Sequence, residues 1–196
     1  LFFGVAPGCM DSMVNKYTAA RRLRSEDAYS PDGRHDMRPE YPTIVYTQIL
    51  RQLYPDVPVV LGGIEASLRR VMHFDYWQER FRPSILVDSN ADMITYGMGE
   101  KPTIELCRRL TDALEESHPS LYYDENGYSY ITRDTFRQVA QLQNEIPQTV
   151  SLYDHSHIPG GIREDDIVLH SYEKCLKEPR LHADNFRHVE EESNKL

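Results

Sequence analysis

Apolar residues in this chain gather into short runs, and three of those runs end at glycine. Leu1–Val5 leads into Pro7-Gly8, Val57–Leu61 into Gly62-Gly63, and Met93–Tyr96 into Gly97. Unbroken apolar runs of this length fit strands covered on both faces, because a sheet with one wet face alternates apolar and polar residues instead. Helical periodicity fills the spaces between. Ile44, Val45, Ile49, Leu50 and Leu53 make one stripe, with Pro42 placed for a first turn. Ile104, Cys107, Leu110 and Leu114 make a second, with Pro102 near its start. Strands alternating with helices in this way predict βαβ units and a parallel sheet.

The pattern is less regular between Leu68 and Asp88. There Leu68, Val71 and Met72 read as core-facing, and Phe74, Trp77 and Phe81 recur at helical spacing, which reads as core packing. Beyond Leu114 the chain turns polar and rich in tyrosine, with Asn126-Gly127 as a tight-turn signal. Tyr128–Thr132 and Ile167–His170 read as short strands, and Phe136, Val139, Ala140 and Leu142 as one helix. Two helices close the chain. Ser171 caps the first and Pro179 ends it. The second covers His182–Lys195, with Phe186 and Val189 inward and Glu191 one turn before Lys195. The expected organisation is an α/β domain over residues 1–116, followed by an extension over 117–196 with short strands and two terminal helices.

Charge narrows the range of partners. With 31 acidic against 22 basic residues the formal charge is −9, which repels a phosphate backbone and argues against nucleic acid as a partner. Basic residues cluster at Arg21-Arg22-Leu23-Arg24 and Leu68-Arg69-Arg70; each cluster suits one small anion or, as the favoured reading, a solvated helix face. Three scattered cysteines suit a reducing compartment and a cytoplasmic location. No apolar run approaches the ~20 residues of a membrane span, so a membrane is not an expected partner. The opening at Leu1, inside a strand-like run, reads as an excised piece of a longer protein.

Candidate chemistry concentrates at the strand ends, where open α/β sheets bind ligands. Gly62-Gly63-Ile64-Glu65 and Gly97-Met98-Gly99-Glu100 fall there, although each alone also reads as a tight strand-to-helix turn. Asp11, Asn15 and Tyr17 follow the first run and offer polar contacts, while Arg69 and Arg70 suit a carboxylate or phosphate. Helix capping by Asp11 or Ser12 is an equally good account of the first group. Neither glycine segment has the dinucleotide or phosphate-loop spacing. His155-Ser156-His157 after Asp154 suits a metal only if a third ligand joins it, and an exposed loop is the favoured reading. Cys107 reads as core, and Cys9 stands at a strand end without an evident base. No nucleophile, base and orienting group assemble into a catalytic set.

The blocks Gly8-Cys9-Met10-Asp11-Ser12-Met13-Val14-Asn15-Lys16-Tyr17-Thr18, Val59 through Arg70 and His73-Phe74-Asp75-Tyr76-Trp77 resemble, in that order, segments of the YgiQ family of radical S-adenosylmethionine (radical SAM) proteins. Ser84–Ser89, Ala91–Glu100, Gly127–Asp134 and Leu169–Glu173 extend the likeness across nearly the whole chain. The Gly-Gly and Gly-x-Gly-Glu strand ends are also similar, more distantly, to the cobalamin-binding-type domain before many radical SAM cores. This implies a flavodoxin-like doubly wound sheet, incomplete at its N-terminal edge. Cobalamin itself is not expected, since the Asp-x-His-x-x-Gly segment is missing.

The resemblance implies a parent enzyme that uses a [4Fe–4S] cluster and S-adenosylmethionine on a substrate it does not identify. The cluster motif, Cys-x-x-x-Cys-x-x-Cys, has no counterpart here, so no cluster role passes to Cys9, Cys107 or Cys175. The core is expected after Leu196, as this region's partner in the same polypeptide. The region itself then reads as an accessory domain, inactive alone. The other reading is a non-catalytic module that binds a small ligand or a protein.

Overall fold

The computed structural model describes residues 2–116, 122–123, 129–136, 146–151 and 166–195. They fall into two compact units, one of residues 1–70 with 85–153 and the other of 71–84 with 154–196.

The first unit is built on a four-stranded sheet in which Phe3–Val5, Val59–Leu61, Met93–Thr95 and Thr149–Ser151 lie side by side in that order. β1 (Phe3–Val5), β2 (Val59–Leu61) and β5 (Met93–Thr95) lie inside the three apolar runs. They pair in parallel, with Phe3 opposite Val59 and Val60 opposite Met93. Side chains alternate across a strand, and the core divides accordingly. Val5, Val59, Leu61 and Ile94 join α2 (Pro42–Leu53), α3 (Gly63–Leu68) and α4 (Ile85–Ser89) through Ile44, Leu50, Ala66, Ile85 and Leu86. Val60 and Met93 point the other way, to Leu106 and Leu110 of α5 (Glu100–Glu116) and to Ile131, Phe136 and Ile146. Both faces of the sheet are therefore covered, as the continuous apolar runs require.

The fourth strand changes the expected all-parallel sheet to a mixed one. β8 (Thr149–Ser151) runs antiparallel to β5, with Ile94 opposite Val150. It sits at an edge and none of its three residues is fully buried, so it carries no apolar run to announce it. A pair of two-residue strands, β6 (Tyr122–Tyr123) and β7 (Ser129–Tyr130), forms a separate ladder. β7 falls within the expected strand, but Ile131 and Thr132 do not continue it. The Asn126-Gly127 turn, the helix positions Val139, Ala140 and Leu142, and Asp154, His155 and His157 lie outside the described residues.

Two helix faces are rotated from the expected stripes. On α2 the buried positions are Pro42, Thr43 and Thr47, whereas Ile49 and Leu53 are exposed. Thr47 donates its hydroxyl to the Thr43 carbonyl at 2.7 Å, which makes a buried threonine tolerable. Arg51, one turn further along that line, bonds the carbonyls of Val57 and Asn90 and the Asp92 carboxylate. This polar anchor sets the rotation of α2. On α5, Pro102, Leu106 and Leu110 face inward at four-residue spacing, while Ile104 and Cys107 are exposed, so Cys107 is not a core residue.

The second unit corrects the reading of residues 71–84. Phe74 and Phe81 lie opposite each other on a hairpin of β3 (His73–Asp75) and β4 (Arg80–Arg82), with ring centroids 5.4 Å apart. Their spacing mimics a helix, but Asp75 Oδ1 accepts from the Trp77 and Gln78 amides, at 2.9 Å each, and so fixes a turn. Phe74 stays half exposed.

The helices α6 (Tyr172–Lys177) and α7 (Arg180–Ser193) form near their expected places, with Ser171 capping α6. Ile167–His170 is not a strand. Instead Asn185 of α7 accepts from the His170 amide at 2.8 Å and donates to the His170 carbonyl at 3.0 Å. That exchange turns Asn185 inward and leaves Phe186 exposed.

His182 of α7 meets the Phe81 ring edge-on, with centroids 5.0 Å apart, and its Nδ1 is buried without a hydrogen-bond partner among the described residues. Burial pulls its pKa below the usual 6.5. The unfolded chain therefore binds the proton more readily than the folded unit does. Stability should be full above pH ~6.5 and fall as the pH drops through and below that value. Amide protection factors across α7, each referenced to the intrinsic exchange rate at its own pH, will fall on acidification, and His182→Phe will remove that part of the pH dependence; an unchanged pH profile in the variant would refute the assignment.

Candidate functional site

The carboxyl ends of the three parallel strands meet in the first unit. Gly62 takes up extended backbone, and Gly63 follows with φ at 80°. A Cβ on Gly63 would lie 3.3 Å from the Gly8 carbonyl oxygen, so glycine here allows a close approach between the ends of β1 and β2. Gly97 also has positive φ, and its amide donates to Ser67 Oγ at 3.2 Å. Gly99 contributes its carbonyl to the Thr103 amide at 3.0 Å, and Glu100 opens α5 with its side chain exposed. Arg70 lies over the Tyr96 ring at 4.8 Å and donates to the Ser67 carbonyl at 2.7 Å.

Beside this junction is a buried charged cluster. Asp11 is the N-cap of α1 (Ser12–Lys16), where Oδ1 accepts from the amides of Met13 and Val14 at 3.0 and 3.2 Å. Its other oxygen pairs with the guanidinium of Arg69, which itself lies 5.6 Å from the Tyr41 ring centre. Glu65, one turn before Arg69, closes two helices at once. Oε2 accepts from the Ser12 amide of α1 at 3.2 Å, and Oε1 from the Thr43 amide of α2 at 3.4 Å. A helix start leaves free N–H groups that favour negative charge. α2 needs that help, because its N-cap is Tyr41, a left-handed residue with no side-chain cap. The hydroxyls of Ser12 and Thr43 are buried without hydrogen-bond partners among the described residues.

The remaining candidates belong to neighbouring networks. Asn15 donates to Asp27 Oδ1 at 2.9 Å. Burial alone would raise the Asp27 pKa, but bonds from Asn15, the Tyr29 amide, Ser30 and Arg38 hold its carboxyl far below the usual range. Tyr17 donates to Glu40; that acceptor, with some burial, pushes the phenol up to about 12. Lys16 pairs with Asp36 at 2.6 Å. Ser12, Asn15, Lys16, Asp27, His35 and Arg38 help to line a recess with room for about one water molecule.

Asp11, Glu65 and Arg69 are thus brought together, as are Gly62, Gly63 and Gly97, while Asn15 and Tyr17 turn to the Asp27 and Glu40 networks. In this structure the anion nearest Arg69 is Asp11 of the chain itself. Sequence reasoning missed Thr43, Asp27 and Arg38. The Thr43 signal was present: a helix opening on Tyr41-Pro42 lacks a capping side chain, so a carboxylate must come from elsewhere. Cys9 is exposed and Cys175 is buried in the second unit. Among the described residues no three His, Cys, Asp or Glu side chains could together hold a metal ion, and no helix is long and apolar enough to cross a membrane.

Comparison with known proteins adds what geometry alone does not. The family model described as "Radical SAM N-terminal" matches residues 1–196. A UPF0313 protein of Bacteroides thetaiotaomicron is 54% identical over 195 residues, which cover 100% of this chain and 29% of that protein. A UPF0313 protein of Porphyromonas gingivalis is 50% identical over 195 residues, covering 100% of this chain and 27% of the relative. The UPF0313 protein YgiQ of Escherichia coli is 58% identical over 110 residues, 56% of this chain and 15% of that protein. The chain therefore spans less than a third of the length of these relatives. No solved structure matches it.

Proposed function

The chain belongs to the radical SAM N-terminal family, and from that premise we propose that it is the accessory N-terminal region of a radical SAM iron–sulfur enzyme. The observation that carries this reading is the family match over residues 1–196, together with relatives more than three times as long. In the proposed enzyme a [4Fe–4S] cluster, held by cysteines elsewhere in the polypeptide, would supply the reductive chemistry on S-adenosylmethionine.

The thiols of this chain do not fit such a cluster. Cys9, Cys107 and Cys175 are far apart in sequence, and Cys175 is fully buried beside Asn185. What the charged residues at the strand ends do instead is tie the helices together. Asp11, Glu65 and Arg69 lock α1, α2 and α3 at the strand ends, and the glycines bring the loops into close register there. Residues 1–116 would form the accessory domain and 117–196 the extension toward the core. The three parallel strands, with helices on both faces, support reading the sheet as part of a flavodoxin-like architecture.

Anaerobic reconstitution with iron and sulfide tests the proposal. The full-length protein should take up one four-iron cluster with its thiolate-to-iron absorption, and lose it when a Cys-x-x-x-Cys-x-x-Cys motif outside this region is changed to serine. A full-length protein that binds no cluster would overturn the reading. So would a stoichiometric cluster on the 196-residue chain alone.

A further inference from the structure

The junction of strand ends has a second property, in what surrounds its charged cluster. Large apolar side chains stand exposed around it: Met10 and Val14 near Asp11, Ile64 and Leu68 on α3, Met98 after Gly97, and Ile104 on the first turns of α5. Contacts already described tie Met10, Leu68 and Met98 to one end of the sheet. Asp11, next to Met10, pairs with Arg69, next to Leu68. The Gly97 amide, beside Met98, bonds Ser67, also next to Leu68. Ile64 and Leu68 are four residues apart on α3, the spacing that brings side chains to one face of a helix. Met98 is 79% exposed and Ile104 69%, values that would place them among the costliest residues to leave in water. Meanwhile the charges beneath are matched among themselves, and the nearby recess admits about one water molecule. An apolar rim over satisfied charges suits a macromolecular surface better than a small polar ligand.

We propose that this end of the sheet is an intramolecular docking face, and that its occupant is the remaining polypeptide of the longer protein. The proposal rests on the reading of the chain as one region of such a protein. The length of the relatives argues for that occupant: 71% of the Bacteroides protein and 73% of the Porphyromonas protein lie outside the matched region (100 − 29 and 100 − 27). A tethered partner is present at high effective concentration and needs no charged steering, which matches a rim of Met, Ile, Leu and Val.

Oxidative footprinting of the full-length protein with peroxide reads the face directly, since methionine oxidation follows exposure. Met98 is compared with Met37, which is 60% exposed in this structure and lies away from the rim residues in sequence. Docking predicts that Met98 oxidises on the order of ten-fold more slowly than Met37, and that Leu68→Asp restores its rate. Oxidation of Met98 as fast as Met37 would overturn the proposal. Protection that disappears on dilution would overturn it too, in favour of a second copy as occupant. Iron content measured on the same samples separates the two ideas: a protected Met98 without a cluster removes the radical SAM reading alone, and a loaded cluster with an exposed Met98 removes the docking face alone.

Discussion

Asp92→Ala should cost about 3–5 kcal/mol of unfolding free energy, the range for breaking a buried ion pair by removing one partner. The Asp92 side chain is wholly buried. It accepts from the Val59 amide at 2.8 Å and from Arg133 Nε at 2.8 Å, and it pairs with Arg51 as well. Removing it orphans the first amide of β2 and leaves two largely buried guanidinium groups without their shared anion. Since a whole domain is stable by only about 5–15 kcal/mol, this single change is a large fraction of the total. Asp92→Asn keeps the shape and one acceptor, so it should cost less. Chemical denaturation of both variants provides the check. An alanine variant within about 0.5 kcal/mol of the parent, the range of ordinary surface changes, would refute the assignment.

Arg69→Ala is the second large effect, also of about 3–5 kcal/mol, because it strands the buried Asp11 carboxylate. Asp11→Ala adds the loss of the α1 cap, worth about 1 kcal/mol. The double variant should cost clearly less than the two singles together, since each single change leaves an uncompensated charge that the double removes. Strict additivity would mean that the pair is not coupled. If Arg69→Ala left stability unchanged, the guanidinium would be available to a ligand rather than committed to Asp11.

These two knots show what the sequence made legible and what it hid. The parallel strands were readable because burial on both faces writes a continuous apolar run at Val59–Leu61 and Met93–Thr95. β8 was not, because an edge strand needs only Val150 to face the core. The helix faces were misread where a polar anchor overrides hydrophobicity: Arg51 turns Thr47 inward on α2, and Asn185 displaces Phe186 on α7. Phe74, Trp77 and Phe81 fit helical spacing by number alone, and only the turn at Asp75 tells them from a helix. For the site, Asp11, Glu65 and Arg69 were readable as neighbours of strand ends. Their engagement with one another was not, because residues 58 positions apart reveal no pairing in a single sequence.

The double closure by Glu65 also bears on how the chain folds. Asp11 caps α1 locally, but the Ser12 amide of α1 and the Thr43 amide of α2 find their side-chain acceptor only in Glu65, 53 and 22 positions away. α1 has only five residues, too few to persist as an isolated helix, and α2 lacks a cap of its own. Neither can serve as an early local nucleus. Loop closure must come first, so α1, α2 and the pairing of β1 with β2 are bound into one late, cooperative step.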